Sequence, residues 1–326
     1  MANKDVEILI HHGKEIQSPP LEGDITWETE RKGSPAKLTV SIPKTTGLNF
    51  QEGEIIQFKV KNKLIFTGVV FTKSRNRDGL IKVTAYDYLR YFKNKHTGVY
   101  EDKTADAILK GLLDKYELPY TSDGIEGTSY VISSLTEDDQ TLFDIVQDAL
   151  DLTLTSTKNL YTLFCDPNGN VCLKNTANLK TNIIITDTTA ENFDYSSSID
   201  ENTYNKIYLY YDNDETNKRE EYISQDSSNI KKWGLLKYTE SISTNVNASD
   251  KANKLLSLYN QKTRKLKVSG AFGDVSCKAG ASVIVKLGLG DIDVSNYMLI
   301  EKATHKFTHG EHTMDLTLSG IKEFVS

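Results

Sequence analysis

The sequence predicts a mainly β protein with an α+β insert, in which two similar small β-barrel-like domains flank a mixed helix and sheet domain. Three observations support this prediction. Short stretches that alternate apolar and polar residues recur near both ends of the chain, as in strands with one buried face. In the middle the apolar residues adopt a helical spacing. The length of 326 residues exceeds the usual size of one core and indicates two or three domains.

Residues 1–97 are predicted to form the N-terminal β-barrel-like domain. Glycines stand at turn positions between the strand signals, and six short strands without a long helix favour a closed or nearly closed barrel. The last two strands form a hairpin that turns at Gly79, and Asp87 can cap a helical turn after it. The strand signals are "VEILIHH", "DITWETER", "AKLTVSIP", "EIIQFKVK", "LIFTGVVFTKSR" and "LIKVTAYDYL".

Residues 98–198 are predicted to form the α+β insert domain. In "TADAILKGLLDKYELP" the apolar residues recur at helical spacing, Thr104 is a good N-cap and Pro119 ends the run. In "TEDDQTLFDIVQDALDL", Thr136 can cap a second helix with Asp139 at its third position. The strand "TNIIITD" follows.

Two of the three cysteines lie in the predicted hairpin "LFCDPNGNVCL". A two-residue Asn168-Gly169 turn would place Cys165 opposite Cys172, at a separation that a disulfide could span. A type I turn from Asp166 with Gly169 as a left-handed bulge would shift the register by one residue. We favour this second turn because it suits a proline at its second position, Pro167. Both cysteines are then expected to be reduced thiols.

Residues 199–326 are predicted to form the C-terminal β-barrel-like domain with one helix. The helix is expected to be capped by Ser249, and its apolar stripe includes Leu255 and Tyr259. In "YNKIYLYYD" tyrosines alternate with aliphatic residues, which could leave aromatic side chains on an exposed face. The other strand signals are "EEYISQ", "LLKYTESI", "RKLKVSGAF", "SVIVKLG", "YMLIEKATHKF" and "HTMDLTLSG".

The first and third stretches share one plan, which is a glycine, a strand, a loop, a long strand, a tight turn with glycine, and a returning strand. Gly53 corresponds to Gly280, and the turn at Gly79 corresponds to the turn at Gly310. Residue identity between the two stretches is low, so two unrelated β-meanders remain an alternative explanation. The shared plan predicts two look-alike units in one chain.

Composition and charge exclude several classes of function. The formal charge of −6 gives no general attraction to nucleic acid or anionic lipid. The apolar run at the N-terminus is too short for a signal peptide, so the chain is expected to stay in the compartment where it is made. The sequence has no G-x-S-x-G, no phosphate-binding glycine loop and no metalloprotease helix. We therefore expect no cofactor and no catalysis.

Two groups of residues suggest chemistry by their count alone. His305, His309 and His312 could form a metal cluster, but two of them flank a tight turn, and a polar hairpin tip is the favoured interpretation. The carboxylates from Glu137 to Asp139 could suggest glycoside hydrolysis. They are expected at a helix start, where negative charge is favourable without any substrate. Neither group is predicted to be a site.

Several stretches together carry a resemblance to a known family. "FTGVVFTKSR" leads into "VTAYDYLRYFKN", "EGEIIQFKV" precedes it, and the "HTMDLTLSG" hairpin closes the chain. With this arrangement the chain resembles the tail hub proteins of contractile-tail phages and phage-tail-like bacteriocins, in particular those of Gram-positive prophage elements. The resemblance runs along nearly the whole chain, and "DYLRYFKN" and "SVIVKLG" are its most specific parts.

The resemblance implies a baseplate hub, in which a homotrimeric ring adapts the six-fold tail tube to a three-fold central spike. The implied partners are tube or tube-initiator proteins, the spike, and possible contacts to tape measure and cell-wall hydrolase proteins. DNA would be only passing cargo and no membrane would be bound. Assembly in the bacterial cytoplasm would precede incorporation into the baseplate. The candidate inter-subunit or partner contacts are Phe71, Tyr86, Tyr88, Tyr297, His305 and Phe307.

A different class of function competes with this one. A carbohydrate-binding or cell-wall-active module of a tail complex could use exposed tyrosines as a stacking platform. Sugar binding by the isolated monomer would favour that alternative.

Overall fold

The computed structural model describes residues 5–77, 79–213, 217–242, 247–288, 293–308 and 310–320. Strands make up 53% of the structure and helices 18%, so the predicted mainly β class is confirmed. Among the described residues no helix has both the length and the apolar composition needed to cross a membrane.

The first seven strands come from the N-terminal part of the chain. A short 3-10 helix, Tyr88–Lys93, follows them, and the Asp87 side chain accepts a hydrogen bond from the Leu89 N–H, as predicted. The strands are β1 (Val6–His12), β2 (Glu15–Gln17), β3 (Ile25–Glu30), β4 (Lys37–Pro43), β5 (Ile55–Val60), β6 (Lys63–Arg75) and β7 (Leu80–Tyr86).

The middle of the chain contains two helices and two small sheets. The antiparallel pair of β8 and β10 forms one sheet, and β11, β12 and β9 form the other. The elements are β8 (Lys95–Thr104), α1 (Ala105–Lys115), β9 (Tyr120–Ile125), β10 (Val131–Thr141), α2 (Leu142–Thr157), β11 (Tyr161–Cys165), β12 (Val171–Asn175) and a 3-10 helix (Thr176–Asn178).

The remaining strands belong to the large sheet or to a small sheet ordered β16-β15-β17. The elements are β13 (Lys180–Thr186), β14 (Asn192–Ser198), β15 (Lys206–Asn213), β16 (Lys218–Gln225), α3 (Ser227–Trp233), β17 (Lys237–Ser241), α4 (Ala248–Tyr259), β18 (Thr263–Phe272), β19 (Ser282–Gly288), β20 (Asp293–Thr308) and β21 (Glu311–Ser319).

One sheet of 13 strands connects the two ends of the chain. Its order is β14-β18-β21-β20-β3-β4-β7-β6-β5-β1-β2, with β19 also paired to β20 and β13 paired to β19. The prediction of a closed barrel is wrong, since no barrel closes in the described residues. The reason is that β3 pairs with β4 on one edge and with β20, from the other end of the chain, on its other edge, so it does not return to β1 or β2.

Four larger apolar cores fill the molecule. One lies under the N-terminal strands, one under the C-terminal strands, and one packs α4 against β15. The fourth packs α1 and α2 against the 3-10 helix and the sheet of β11 and β12. The domain limits 97/98 and 198/199 stay predictions. β13 and β14, which the sequence places in the insert, pair with β19 and β18 of the large sheet.

Helix starts differ from the predicted caps. Strand β10 continues through the carboxylates at 137–139, and α2 begins only after Thr141, which forms a capping box with Asp144. The predicted cap Thr136 therefore lies in a strand, because pairing with β8 extends that far. The N-cap of α4 is Asn247 and not Ser249. Thr104 precedes α1 as predicted, without a side-chain capping bond.

The cysteine hairpin has the favoured turn. Cys165 is paired with Val171 and not with Cys172, and Gly169 has φ +94°. The Asp166 N–H donates to the Asn170 carbonyl at 2.8 Å. All three cysteines are free thiols, as expected.

Candidate functional site

Two glycines occupy the same structural position in the two halves of the large sheet. Gly53 has φ +92° and Gly280 has φ +88°, a region that favours glycine. The Gly53 N–H donates to the Val70 carbonyl and the Gly280 N–H to the Ile300 carbonyl, both at 2.8 Å. In return, Val70 and Ile300 each donate to the carbonyl of the residue after the glycine, at 2.9 and 2.8 Å. The correspondence predicted from the sequence is therefore present in the backbone.

The long strands β6 and β20 also share an irregularity. The register of β6 against β7 shifts between Val70 and Thr72, and the register of β20 against β21 shifts between Ile300 and Lys302. A bulge of this kind leaves one residue unpaired and bends the strand. Both long strands therefore bend directly after the residue that bonds to the Gly53 or Gly280 backbone, which is Val70 in β6 and Ile300 in β20.

The shared geometry extends to whole units of six strands. The first unit has the order β3-β4-β7-β6-β5-β1 and the second unit has the order β14-β18-β21-β20-β19-β13. The two units differ in their last strand, since β1 runs antiparallel to β5 while β13 runs parallel to β19. The chain therefore contains one strand arrangement twice.

We call the contact between β3 and β20 the joint, because it connects the first unit to the second. Trp27 of β3 lies directly opposite His305 of β20, and their rings stack with centroids 5.0 Å apart. Phe307 of β20 meets Phe58 edge-on at 5.1 Å. The joint thus combines strand pairing with an aromatic contact between the two units.

Polar contacts extend the joint at its edge. The Arg31 guanidinium donates to both carboxylate oxygens of Glu301, at 2.7 and 3.2 Å, and only 8% of the Arg31 side chain is exposed. The Ala279 N–H donates to the Thr29 hydroxyl at 2.9 Å. Bidentate, largely buried pairs of this kind fix geometry more strongly than exposed ones.

A pair of histidines lies behind the joint. The His305 Nδ1 is 3.0 Å from the His312 Nε2, and the His305 Nε2 is 3.0 Å from the Cys277 carbonyl oxygen. Since a carbonyl only accepts, the His305 Nε2 carries the proton and its Nδ1 accepts from His312. Burial lowers the pKa of each histidine to about 4. Both rings are therefore uncharged at neutral pH.

In the joint, β3 pairs with the end of β20. The corresponding end of β6 has no partner strand on that side in the described part of the chain. On one side β6 pairs with β5 only as far as Val69, and on the other side β7 covers it to Arg75. The opposite end of the sheet is β14, which pairs with β18 along one edge only among the described residues. The first unit thus leaves the end of β6 open on this side, and the second unit leaves the outer edge of β14 open.

Phe71 and Tyr86, two of the predicted contact residues, lie next to the open edge of β6. Phe71 is at the bulge, and its ring meets Tyr86 at 5.5 Å and Tyr91 at 6.0 Å. The Arg90 guanidinium lies 5.2 Å from the Phe71 ring centroid. The structure brings these aromatic side chains together in a partly buried cluster.

Tyr88 and Tyr297 have other main contacts. Tyr88 packs on the cysteine hairpin, where a Cβ at Gly169 would come within 2.9 Å of its ring. Tyr297 packs near Leu299, with the Lys180 ammonium 5.2 Å from its ring centroid. Tyr297 does not join the cluster around Phe71, whereas the Tyr88 ring lies 6.3 Å from the Tyr91 ring at the border of that cluster.

His305 and Phe307, the last two predicted contact residues, are buried within the chain. Their side chains are 0% and 3% exposed, and both belong to the joint between the two units. The prediction of a polar hairpin tip is therefore wrong for His305, which is buried. His309 lies outside the described residues. In the described part of the chain, no group of three His, Cys, Asp or Glu side chains is arranged to hold a metal ion.

Two tyrosine rings of β15 each have a cationic side chain against one face. The Lys237 ammonium lies 3.9 Å from the Tyr208 ring centroid, and the Arg219 guanidinium lies 4.1 Å from that of Tyr210. Cations therefore occupy one face of each ring that a sugar would need for stacking.

Sequence reasoning missed residues that matter for the joint. The strand of Trp27 was predicted, but its partner strand lies at the other end of the chain, and no local pattern reports such pairing. Lys278 was also missed, and burial lowers the pKa of its ammonium group to about 8. It lies 3.7 Å from the Phe164 ring centroid, where the insert meets the second unit.

Two curated proteins of Bacillus subtilis (strain 168) are similar to this chain over 90% of both lengths. The protein YqbQ is 30% identical over 302 residues. The phage-like element PBSX protein XkdQ is 28% identical over 307 residues.

Solved structures have the same fold. The tail protein from Neisseria meningitidis MC58 superposes with a TM-score of 0.71 at 10% identity and covers 98% of both chains. The Escherichia coli c3393 protein, a type VI secretion component described as similar to the T4 tail proteins gp27 and gp5, gives a TM-score of 0.59 at 9% identity. It covers 97% of this chain and 78% of its own.

XkdQ is named for a phage-like element and the Neisseria protein as a tail protein, and none of these four proteins is named as an enzyme. A family model described as YQBQ-like matches residues 25–319. Because that match runs from β3 to β21 and covers far more than half of the sequence, the chain belongs to the YQBQ-like family.

Proposed function

We propose that this protein is the baseplate hub of a contractile phage tail or tail-like particle. Three copies form a ring that adapts the six-fold tail tube to a three-fold central spike. The observation that carries the proposal is the repeated unit, because three chains with two equivalent units each present six similar units around one axis. Such a ring has six-fold geometry towards the tube and three-fold geometry towards the spike.

The relatives support this proposal. XkdQ is named as a protein of a phage-like element, and the c3393 protein is described as similar to phage T4 tail proteins while belonging to a secretion system. Another solved structure of this fold is a Francisella PdpA–VgrG complex, with a TM-score of 0.55. From these names we infer tube and spike proteins as partners, with tape measure and cell-wall hydrolase proteins as further neighbours.

The test is a mass measurement on the full chain, alone and then mixed with candidate spike proteins from the same element. The chain has a mass of 36.6 kDa, so a trimer has about 110 kDa. We expect three copies of the chain, either alone at this mass or in a complex whose mass equals this value plus that of the spike. A stable two-fold dimer would contradict the ring. In such a dimer both copies use the same surface, so no equivalent surface is left to bind a third copy.

A further inference from the structure

The joint within one chain shows how a first unit contacts a second unit. In the proposed ring, the second unit of one copy must in turn contact the first unit of the next copy. If the six contacts are similar, the equivalent of β3 in the second unit must pair with the end of β6 in the next copy, as β3 pairs with the end of β20 in the joint. The strand that corresponds to β3 in the second unit is β14.

We propose that β14 of one copy pairs antiparallel with the open edge of β6, from Thr72 onwards, in the next copy. This inference rests on the proposed ring and identifies its inter-chain contact. Both edges are open in the described part of one chain, and edge strands with unpaired backbone groups are templates for such pairing. The partner is therefore a second copy of this chain.

The repeat fixes which residues of β14 correspond to those of β3. Trp27 of β3 lies opposite Leu38, and Leu38 lies opposite Ala85 of β7. In the second unit Tyr195 lies opposite Leu266, which lies opposite Leu318 of β21. Ala85 and Leu318 are equivalent because each pairs with the residue just before the bulge. Tyr195 therefore corresponds to Trp27.

The same rule fixes the register on β6. His305 is the fifth residue after Ile300, and Arg75 is the fifth residue after Val70, so His305 corresponds to Arg75. Since Trp27 lies opposite His305 in the joint, the inference places Tyr195 of one copy opposite Arg75 of the next. Ser196 then lies opposite Ser74.

The side chains on the two edges complement each other. Lys73 and Arg75 at the end of β6, and Arg77 just after it, replace the apolar and aromatic side chains that β20 presents in the joint. The Lys73 ammonium already contacts Phe50 within the chain. Phe193 and Tyr195 of β14 share one face and pack, partly buried, against the core of the second unit, and arginine on an aromatic ring is a favourable contact that is common at interfaces. Copies that fold separately and then assemble need such a polar contact, because an apolar edge would be exposed beforehand.

Net charge favours the same pairing. From Thr181 to Asn205 the chain has five acidic residues and no lysine or arginine, whereas the end of β6 is basic. On the neighbouring strand β18, Lys267 lies opposite Asp194 and Lys265 pairs with Glu201, and these lysines balance part of that acidic charge. Opposite charges across an interface speed association and select the register. The basic residues of β6 could also serve only to prevent unwanted pairing at an edge strand. That role alone would not explain why the same chain also has an acidic segment around an open strand in the equivalent position.

Cysteine pairing tests the register directly. Residues opposite each other in an antiparallel ladder have Cα atoms about 4.5–5.5 Å apart, which a disulfide can span. In the full chain carrying Ser74→Cys and Ser196→Cys, we expect mild oxidation or a short bis-maleimide to give covalent dimers and trimers on a denaturing gel. A mixture of the two single variants is expected to stop at dimers.

The matched control is Ser74→Cys with Ser197→Cys, because Ser197 points to the opposite face of β14. We expect little cross-linking from it or from either single variant. A trimeric mass without the 74–196 cross-link would overturn the ladder and leave the ring standing. Covalent products that continue beyond three copies would instead overturn the closed ring and support the ladder. Monomers without cross-links at every concentration would overturn the ladder.

A second measurement tests the charge contribution. Arg75→Glu is expected to weaken trimer association by at least about tenfold, because it places a carboxylate opposite the Tyr195 ring and near acidic residues. Lys82→Glu on the neighbouring strand changes the net charge equally and is the control. Equal affinities of the two variants would overturn the contact at Arg75.

Discussion

At the scale of single residues, the histidine pair makes the joint sensitive to acid. Burial lowers the pKa of both His305 and His312 to about 4, while histidine in an unfolded chain has a pKa of about 6.5. Between these values the unfolded state binds more protons, so stability falls as the pH falls from about 6.5 towards 4. Each fully coupled proton contributes a slope of about 1.4 kcal/mol per pH unit.

We expect His305→Gln to reduce this slope in the pH dependence of unfolding by urea. Wild type and variant must be compared, because burial raises the pKa of Asp87 to about 7 and gives an opposite slope. The contribution of His312 is smaller, since water reaches part of its side chain. His11→Gln, at a partly exposed position on β1, is the control. An unchanged slope in His305→Gln would contradict the prediction.

The glycine pair Gly53 and Gly280 provides a second prediction. Both need a positive φ, so alanine strains the backbone at either site by about 1–2 kcal/mol. A Cβ at Gly53 meets nothing within 4 Å, whereas a Cβ at Gly280 would lie 2.5 Å from the Thr162 hydroxyl oxygen. We expect Gly280→Ala to destabilise the protein more than Gly53→Ala, by roughly a further 1–3 kcal/mol. Denaturant unfolding measures both, and equal losses would argue against the Thr162 contact.

At the scale of elements, the start of α2 shows how sheet pairing decides a helix boundary. Thr136 followed by Asp139 and Thr141 followed by Asp144 are both capping patterns in the sequence. Pairing of β10 with β8 extends to Thr141, so only the second pattern lies where a helix can begin. The choice between them is thus made by a strand from another part of the chain.

We expect Thr141→Ala to lower the free energy of unfolding by about 0.5–2 kcal/mol, because it removes the side-chain bond to the Asp144 N–H. Thr136→Ala is the matched control, since Thr136 is exposed in β10, and its effect should be within about 0.5 kcal/mol. Chemical denaturation of both variants measures the difference. A larger loss in Thr136→Ala would contradict this account of the cap.

The hairpins are the elements that local sequence predicts best. The turn at Gly169, the hairpin of β6 and β7, and the returning strand β21 all follow from alternation and turn residues. The long-range pair of β8 and β10 and the helix α3 were missed. Strand β8 is mostly polar and exposed, and α3 has no buried residue, so neither carries a strong apolar period.

At the scale of the whole molecule, the ring makes a prediction about its channel. Three copies of a chain with net charge −6 carry −18. We expect the bore of the ring to be acidic, because a wall that repels phosphates lets DNA pass without binding. The electrostatic potential along the bore of a trimer structure measures this. A strongly basic bore would contradict it.

The sequence by itself determined the mainly β class, the turns and the repeated plan, because alternation and glycine positions act over a few neighbours. Only the tertiary structure decided that β3 pairs with β20, that His305 and Phe307 are buried in the joint, and that the barrels stay open. These features depend on contacts between residues far apart in the chain. Such contacts are selected by the packing of whole strands, and no local pattern in either strand records them.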